Sequence, residues 1–232
     1  MKILTIIPAR AGSKGIPGKN IKILGKIPLI AYSINSSLKC KLISDTLVST
    51  ESEKIEKISL KFGAWIPFKR PKYLAKDKTP TLPVIQYTIS RLSKMGYNYD
   101  AVCLLQPTTP FRKLSFLNSC LNTFINNKTD SLISVRKVPD EYNPHWIFEK
   151  KENGFLKIST GEKKIITRRQ DLPDTYYRDG SVYITSVNCI INNNSLYGEK
   201  ISYCINNSEP YCNLDTLSDW KLAENIIKKG FK

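Results

Sequence analysis

Ile3-Leu4-Thr5-Ile6-Ile7-Pro8-Ala9-Arg10-Ala11-Gly12-Ser13-Lys14-Gly15-Ile16-Pro17-Gly18-Lys19-Asn20 is the stretch from which the rest of the chain is read. Ile3–Ile7 is a continuous apolar run rich in β-branched residues and closed by Pro8, the pattern of a strand buried on both faces of a parallel sheet. A loop dense in glycine and basic residues follows at once. In open parallel α/β sheets ligands bind beyond the carboxyl ends of the strands, where this loop must lie. Its glycines let backbone N–H groups approach phosphates closely. Arg10, Lys14 and Lys19 bring positive charge suited to a triphosphate. The loop is not a P-loop, because Ser13 takes the place of the first glycine and Asn20 that of the Ser/Thr; nor is it G-x-G-x-x-G. On composition alone, an exposed loop with solvated lysines remains the competing reading.

Outward from this stretch, strands and helices alternate. Pro28 opens a helix with Leu29, Ile30, Ser33, Ile34 and Leu38 on one face. Thr46–Ser49 reads as a second strand, and Ser52–Phe62 as a helix stopped by Gly63. After a polar, proline-containing loop from Pro67 to Pro80, a helix carries Val84, Ile85, Thr88, Ile89 and Leu92 in register. Ala101–Leu105 and Ser131–Val135 are further strands, with a helix at Leu114–Ile125 between them. Such alternation predicts an α/β fold with a parallel sheet and right-handed crossovers. From about Pro139 to Tyr177 the pattern becomes short, aromatic and turn-rich, a β-rich insertion. Strands near Ser181–Thr185 and Ile201–Ile205 return to the sheet, and an amphipathic helix follows Asp215.

The 232 residues suit one main domain with a subdomain. Thirty-six Lys+Arg against 20 Asp+Glu give +16, which favours anionic partners such as nucleic acid, a membrane surface or phosphorylated and carboxylated small molecules. No basic recognition helix or RNP-like aromatic pattern appears, so nucleic-acid binding is not expected. No apolar run approaches the ~18 residues of a membrane span, and the N-terminal run is too short for a secretion signal. The six cysteines form no C-x-x-C pair and several sit in apolar runs, which fits a reducing cytoplasm.

Further landmarks recur in order along almost the whole chain: Val48-Ser49-Thr50; Arg70-Pro71 with Leu74-Ala75 and Asp77; Leu104-Leu105-Gln106-Pro107-Thr108-Thr109-Pro110; Arg169-Gln170-Asp171-Leu172-Pro173; Gly180 with Tyr183-Ile184; and Leu214-Asp215-Thr216. With the opening loop they resemble the acylneuraminate cytidylyltransferases, the CMP-sialic acid synthetase family, including its legionaminate and pseudaminate members. The resemblance implies a Rossmann-like, mostly parallel sheet flanked by helices, with one nucleotidyltransferase domain over residues 1–232. It also implies a homodimer, with the insertion at about 139–177 as its β-rich dimerisation subdomain. The implied reaction takes CTP and an acidic nine-carbon sugar to CMP-sugar and pyrophosphate with Mg²⁺. A related enzyme using another sugar or nucleotide is the alternative.

By the same resemblance, Arg10, Ala11, Gly12, Ser13, Lys14, Lys19, Asn20, Arg70 and Thr81 match nucleotide-holding positions. Gln106 and Arg169 match positions that hold the sugar acid, with Arg178 and Tyr183 as further candidates in the same segment. Arg10, Lys19 and Asp215 are the candidate catalytic groups, since nucleotidyl transfer needs compensation of charge on equatorial and leaving oxygens. Asp215 matches a metal-binding aspartate whose usual companion is Asn213 here, an amide that brings no charge. The alternative for Asp215 is a plain helix N-cap, with Thr216 and Asp219 resembling a capping box. Three departures stand out: Glu51 replaces the usual Asp, Arg178 is shifted by one in Arg178-Asp179-Gly180, and Asn143-Pro144-His145-Trp146 lacks a lysine. The last two fall where the sugar is expected and point to an acceptor other than ordinary N-acetylneuraminic acid. His145, the only histidine, reads as a packing or hydrogen-bonding residue beside Trp146, with a base or sugar contact as the alternative.

Overall fold

A computed structural model describes residues 1–230. The strands are β1 (Ile3–Pro8), β2 (Ile23–Leu24), β3 (Ile27–Pro28), β4 (Asp45–Ser49), β5 (Ala101–Leu104), β6 (Ser131–Lys137), β7 (Phe148–Lys150), β8 (Leu156–Ile158), β9 (Tyr176–Ser186) and β10 (Ile201–Ile205). The helices are α1 (Leu29–Leu38), α2 (Glu53–Lys61), α3 (Thr81–Lys94), α4 (Leu114–Asn127), α5 (Val187–Asn192) and α6 (Leu217–Lys228). The chain divides into two compact units, Met1–Ser134 with Asp179–Lys232, and Val135–Arg178.

The first unit is built on a six-stranded sheet of order β10-β6-β9-β5-β1-β4. β1 is parallel to both β4 and β5, with Ile6 opposite Leu47 on one side and Leu104 on the other. Alternate side chains of these strands feed two cores, as the period of two requires. Ile3, Ile7, Val48, Cys103 and Ile184 pack with α1, α2 and α4 through Ile30, Ile34, Ile55, Leu117 and Phe124. Leu4, Ile6, Leu47, Val102 and Leu104 pack on the other face against Ile85, Ile89 and Leu92 of α3 and Ile190 of α5.

β9 departs from the expected parallel arrangement. β9 runs antiparallel to β5, with Cys103 opposite Ile184 and Leu104 opposite Tyr183. It also begins at Tyr176, earlier than the expected Ser181, so it takes up residues read as insertion. A strand returning from an irregular insertion lacks the helical crossover that a parallel neighbour requires. The fold is therefore α/β with a mostly parallel sheet.

β1 has β4 on one side and β5 on the other, so the chain reverses its direction of travel across the sheet between β1 and β5. Such a switch point opens a crevice at the carboxyl ends of the two strands. Here that crevice lies between the Ala9–Asn20 loop and Gln106-Pro107-Thr108. A third cluster fixes one side of it. Ile16, the lone large apolar residue inside the glycine-rich loop, is fully buried with Leu24, Leu29, Phe111, Leu214, Trp220 and Ala223. Burying one such side chain contributes about 1.5–3 kcal/mol. It anchors the loop and the Leu214-Asp215 segment to the same cluster.

The second unit, by itself, is a short hairpin of β7 and β8 with several 3-10 turns. His145 lies 2.6 Å from Glu162 through Nδ1, and the Trp146 indole N–H donates to the Ile166 carbonyl at 2.6 Å. Tyr142, Phe148, Phe155, Leu156 and Ile165 are exposed.

Candidate active site

A cleft of about 450 Å³ opens at the switch point. It is lined by Arg10, Ser13, Lys14, Lys19, Asn20, Arg70, Thr81, Gln106, Asn213 and Asp215. Segments about 200 residues apart in sequence thus meet in one place.

Each of these residues has a local reason for its position. The Ala11 N–H donates to Glu51 at 2.7 Å and the Asn20 amide donates to the Arg10 carbonyl at 2.9 Å, so the loop is tied at both ends. Gly18 takes φ 62°, a left-handed turn that glycine tolerates without steric cost. At Gly15 a Cβ would run into the Asp215 carbonyl oxygen, so glycine there lets the loop touch the Asp215 segment. Arg70 is 5% exposed; its Nε donates to Ser49 Oγ at 3.1 Å and its Nη2 to the Ser49 carbonyl. Burial pulls its guanidinium down to about 10, with Glu51 opposing. Thr81 begins α3, whose first turn has no side-chain cap, and it lines the cleft together with Val84.

Two carboxylates sit among these cations. Asp77 bridges Arg10 at 2.7 Å and Lys14 at 3.1 Å. The Lys14 hydrogen bond, with Arg10 beside it, holds the Asp77 carboxyl below the usual aspartate range. Asp215 meets Lys19 Nζ at 3.2 Å and accepts from the Asn213 amide at 2.7 Å. Lys19 also donates to the Leu214 carbonyl at 2.6 Å. The cap of α6 is Thr216, in a capping box with Asp219, whose carboxylate accepts from the backbone N–H of Asp215 and Thr216. Burial by itself would raise Asp219, but these donors hold it below its ordinary value. With the cap supplied by Thr216 and Asp219, the Asp215 carboxylate points to Lys19 instead.

The remaining sequence candidates fall elsewhere. Ala11 borders a smaller recess of about 210 Å³ with Gly18, Asn20 and Ser52, while Gly12 is exposed in the loop. Tyr183, expected at the sugar, is instead buried in the α3-side core: its place in β9 puts it on the face shared by Leu104 and Ile190. Arg169 and Arg178 belong to the second unit, where Arg169 pairs with Asp140. Asn213 and Asp215 offer one carboxylate and one amide; Mg²⁺ is commonly held by one or two carboxylates with phosphates and water completing its shell. That donor set fits an ion shared with a bound triphosphate. Among the described residues no group of three or more His, Cys, Asp or Glu gathers as a metal site. No helix among them is long and apolar enough to cross a membrane.

Sequence reading missed two residues here. Asp77 was visible in a motif, but its pairing across the cleft was not. Arg112, just beyond the Gln106–Pro110 run, is buried and donates to the Gln106 carbonyl at 3.3 Å. Burial pulls it down to about 10, opposed by Cys103 and Asp179.

The chain matches the cytidylyltransferase family over residues 4–198. It is 33% identical to the CMP-N,N'-diacetyllegionaminic acid synthase of Legionella pneumophila, covering 98% of this chain and 97% of that one. It is also 33% identical to the pseudaminic acid cytidylyltransferase of Campylobacter jejuni, with the same coverage. Among solved structures, a CMP:2-keto-3-deoxy-manno-octonic acid synthetase complexed with CTP superposes with a TM-score of 0.74 at 13% identity, covering 99% of both chains.

Proposed function

This chain belongs to the cytidylyltransferase family, and from that premise we propose that it activates an acidic nonulosonic sugar with CTP, giving CMP-sugar and pyrophosphate. The observation that carries this reading is the gathering of Arg10, Lys14, Lys19 and Arg70 with Asp215 around one cleft at the switch point of the sheet. In the reaction the anomeric hydroxyl oxygen of the sugar attacks the α-phosphorus of CTP. The bond from that phosphorus to the bridging oxygen of pyrophosphate breaks, and the hydroxyl proton leaves to solvent.

The residues divide this work. Arg10, Lys14 and Lys19 face the triphosphate and compensate the charge that grows on its oxygens, where positioned cations lower the barrier. Loop N–H groups at Gly12 and Ser13 add donors, and Asn20, Arg70 and Thr81 hold the rest of the nucleotide. Gln106 meets the sugar. Arg169 and Arg178 are assigned to the sugar acid, because a guanidinium can grip a carboxylate through two parallel hydrogen bonds. Mg²⁺, held by Asp215 and Asn213 together with the phosphates, would neutralise phosphate charge. The exposed Tyr142, Phe148, Phe155 and Leu156 support a second unit that pairs two copies into a homodimer. Six free cysteines, five of them buried, are consistent with work in the reducing cytoplasm.

Pyrophosphate release tests the reading, using CTP, Mg²⁺ and, separately, N-acetylneuraminic, diacetyllegionaminic and pseudaminic acids. The lack of a lysine in 143–146 and the shifted Arg178 favour turnover with one of the last two. A panel of ATP, GTP, UTP and CTP fixes the base. Turnover with another nucleotide, or with none of the acids while CTP binds, overturns the assignment.

A further inference from the structure

The wall behind Gln106 is built round a buried charge that the reaction above does not use. Arg112 is 8% exposed and spends its donors inside the fold. Nε donates to the Ser181 carbonyl at 2.7 Å and Nη1 to Ser33 Oγ at 3.4 Å. Nη2 donates to Thr109 Oγ1 at 3.1 Å and to the Gln106 carbonyl at 3.3 Å. A guanidinium held out of water needs a compensating anion and filled hydrogen bonds. Asp179, 2% exposed, is a buried carboxylate close enough to favour that charge, reaching it through Ser181 and not by direct contact. It accepts from the Ser181 N–H and hydroxyl, both at 2.9 Å, and from Ser134 Oγ and the Asn206 amide.

Ser181 therefore stands between the two charges, its carbonyl to Arg112 and its N–H and hydroxyl to Asp179. The residue between Asp179 and Ser181 is Gly180, at φ 79°. A Cβ there would sit 3.6 Å from Gln106 Oε1 and 3.5 Å from Thr109 Cγ2, so the Gln106 side chain lies against this turn. The backbone of Gln106 is thus held by Arg112, and its side chain rests on the turn that Asp179 shapes.

We propose that Arg112 and Asp179 are a pair of positioning residues that fix the Gln106 side chain at the acceptor end of the cleft. The pair acts through Gln106 and touches neither substrate. The inference rests on the reading of Gln106 as the residue that meets the sugar.

Three variants separate positioning from plain support of the fold: Arg112→Met, Asp179→Asn and the double change. Asp179→Asn leaves the guanidinium buried without its anion, and Arg112→Met leaves the carboxylate so; both lower Tm. The double variant removes both buried charges together and recovers much of that Tm, because neither charge is then left buried without its opposite. It does not recover the acceptor site. Its KM for the sugar stays raised about tenfold or more, the scale of a lost charge-assisted hydrogen bond, while KM for CTP stays within about twofold of the parent. A double variant whose sugar KM returns to the parent value overturns the proposal, as does a parallel rise of both KM values. Should the Met variants not fold, Arg112→Lys keeps the charge and loses the planar fork. In that variant the side-chain amide resonances of Gln106, assigned by loss in Gln106→Glu, are read without substrate. Shifted resonances support the pair, and unmoved ones overturn it. This measurement also stands apart from the substrate reading, which fails separately if the parent protein turns over no nonulosonic acid.

Discussion

The two walls of the cleft are held in opposite ways. On the glycine-loop side, Arg10 and Lys14 meet Asp77, and Lys19 meets Asp215, in ion pairs that reach solvent; the Lys14 side chain is 81% exposed. On the Gln106 side, Arg112 and Asp179 are buried, and their bonds go to serines, a threonine, an asparagine and backbone carbonyls. Exposed pairs are weak and screened by salt, so a triphosphate can replace their carboxylates at little cost. Buried polar networks are costly to break once one partner is lost. One wall is made to exchange partners, and the other to keep them.

The largest expected effect breaks the comparison at Arg70, a buried cation on the nucleotide side. Arg70→Met leaves the Ser49 carbonyl without its guanidinium donor, at a cost of about 1–3 kcal/mol. It should lower kcat/KM for CTP by about a hundredfold or more, because cleft charge and loop geometry are lost together. Urea unfolding and steady-state kinetics measure the two parts. A variant with near-parental kinetics would show that Arg70 only props the fold.

Next comes Gly15→Ala. The added methyl meets the Asp215 carbonyl oxygen, and overpacking of this kind costs about 1–3 kcal/mol. Displacing the Asp215 segment should raise the Mg²⁺ concentration needed for half-maximal rate as well as lower Tm. Unchanged Mg²⁺ dependence would mean that the loop yields and Asp215 does not.

Asn213→Asp sharpens the comparison by adding charge on the exchangeable side. Without metal, the 2.7 Å amide bond to Asp215 becomes a like-charge contact, so Tm should fall slightly. With Mg²⁺ and CTP, two carboxylates should bind the ion tighter, reducing the half-saturating Mg²⁺ by roughly severalfold. The thermal shift on adding Mg²⁺ should therefore exceed that of the parent; an equal or smaller shift counts against Asn213 as a ligand.

Asp77→Asn should have the smallest effect. Tm should hardly move, while KM for CTP falls by roughly two- to threefold at low salt and converges with the parent at high salt as the charges are screened. The acid behaviour follows from the lowered carboxyl. A depressed carboxyl contributes stability above its unfolded value and loses it as pH falls through the folded one. Asp77 therefore keeps its charge into acid below the ordinary aspartate range, while its contribution falls progressively from that range downward, and the parent and Asp77→Asn should become alike once the pH is below the folded value. A CTP KM that rises in the variant would make Asp77 a nucleotide contact instead of a stand-in for phosphate.

Much of this was legible before the structure. Ile3–Ile7, Thr46–Ser49 and Ala101–Leu105 announce buried strands, because a strand covered on both faces has little choice but to be apolar throughout. The glycine-rich loop, placed after the first strand, implied a phosphate-facing edge. Thr216 and Asp219 announced their capping box, since a cap is a matter of residues three apart. The resemblance gathered Arg70, Gln106 and Asp215 as candidates, and the fold brings all three to one cleft.

Other features depended on tertiary structure. Nothing in the local pattern fixes the direction of β9, since alternation of side chains is the same for parallel and antiparallel pairing; only its path back from the second unit decides it. Tyr183 reads as an aromatic near the sugar until its register against Leu104 sends it into the core. Ile16 reads as one apolar residue in a loop until Leu214 and Trp220 close over it. Arg112 and Asp179, 67 residues apart, read as two ordinary charges. Sequence by itself determined the alternation of elements, the basic loop and the chemical class of the cleft, because these rest on local pattern and composition. Tertiary structure alone decided which charges are exchangeable and which are locked, because that depends on burial and on partners brought from distant parts of the chain.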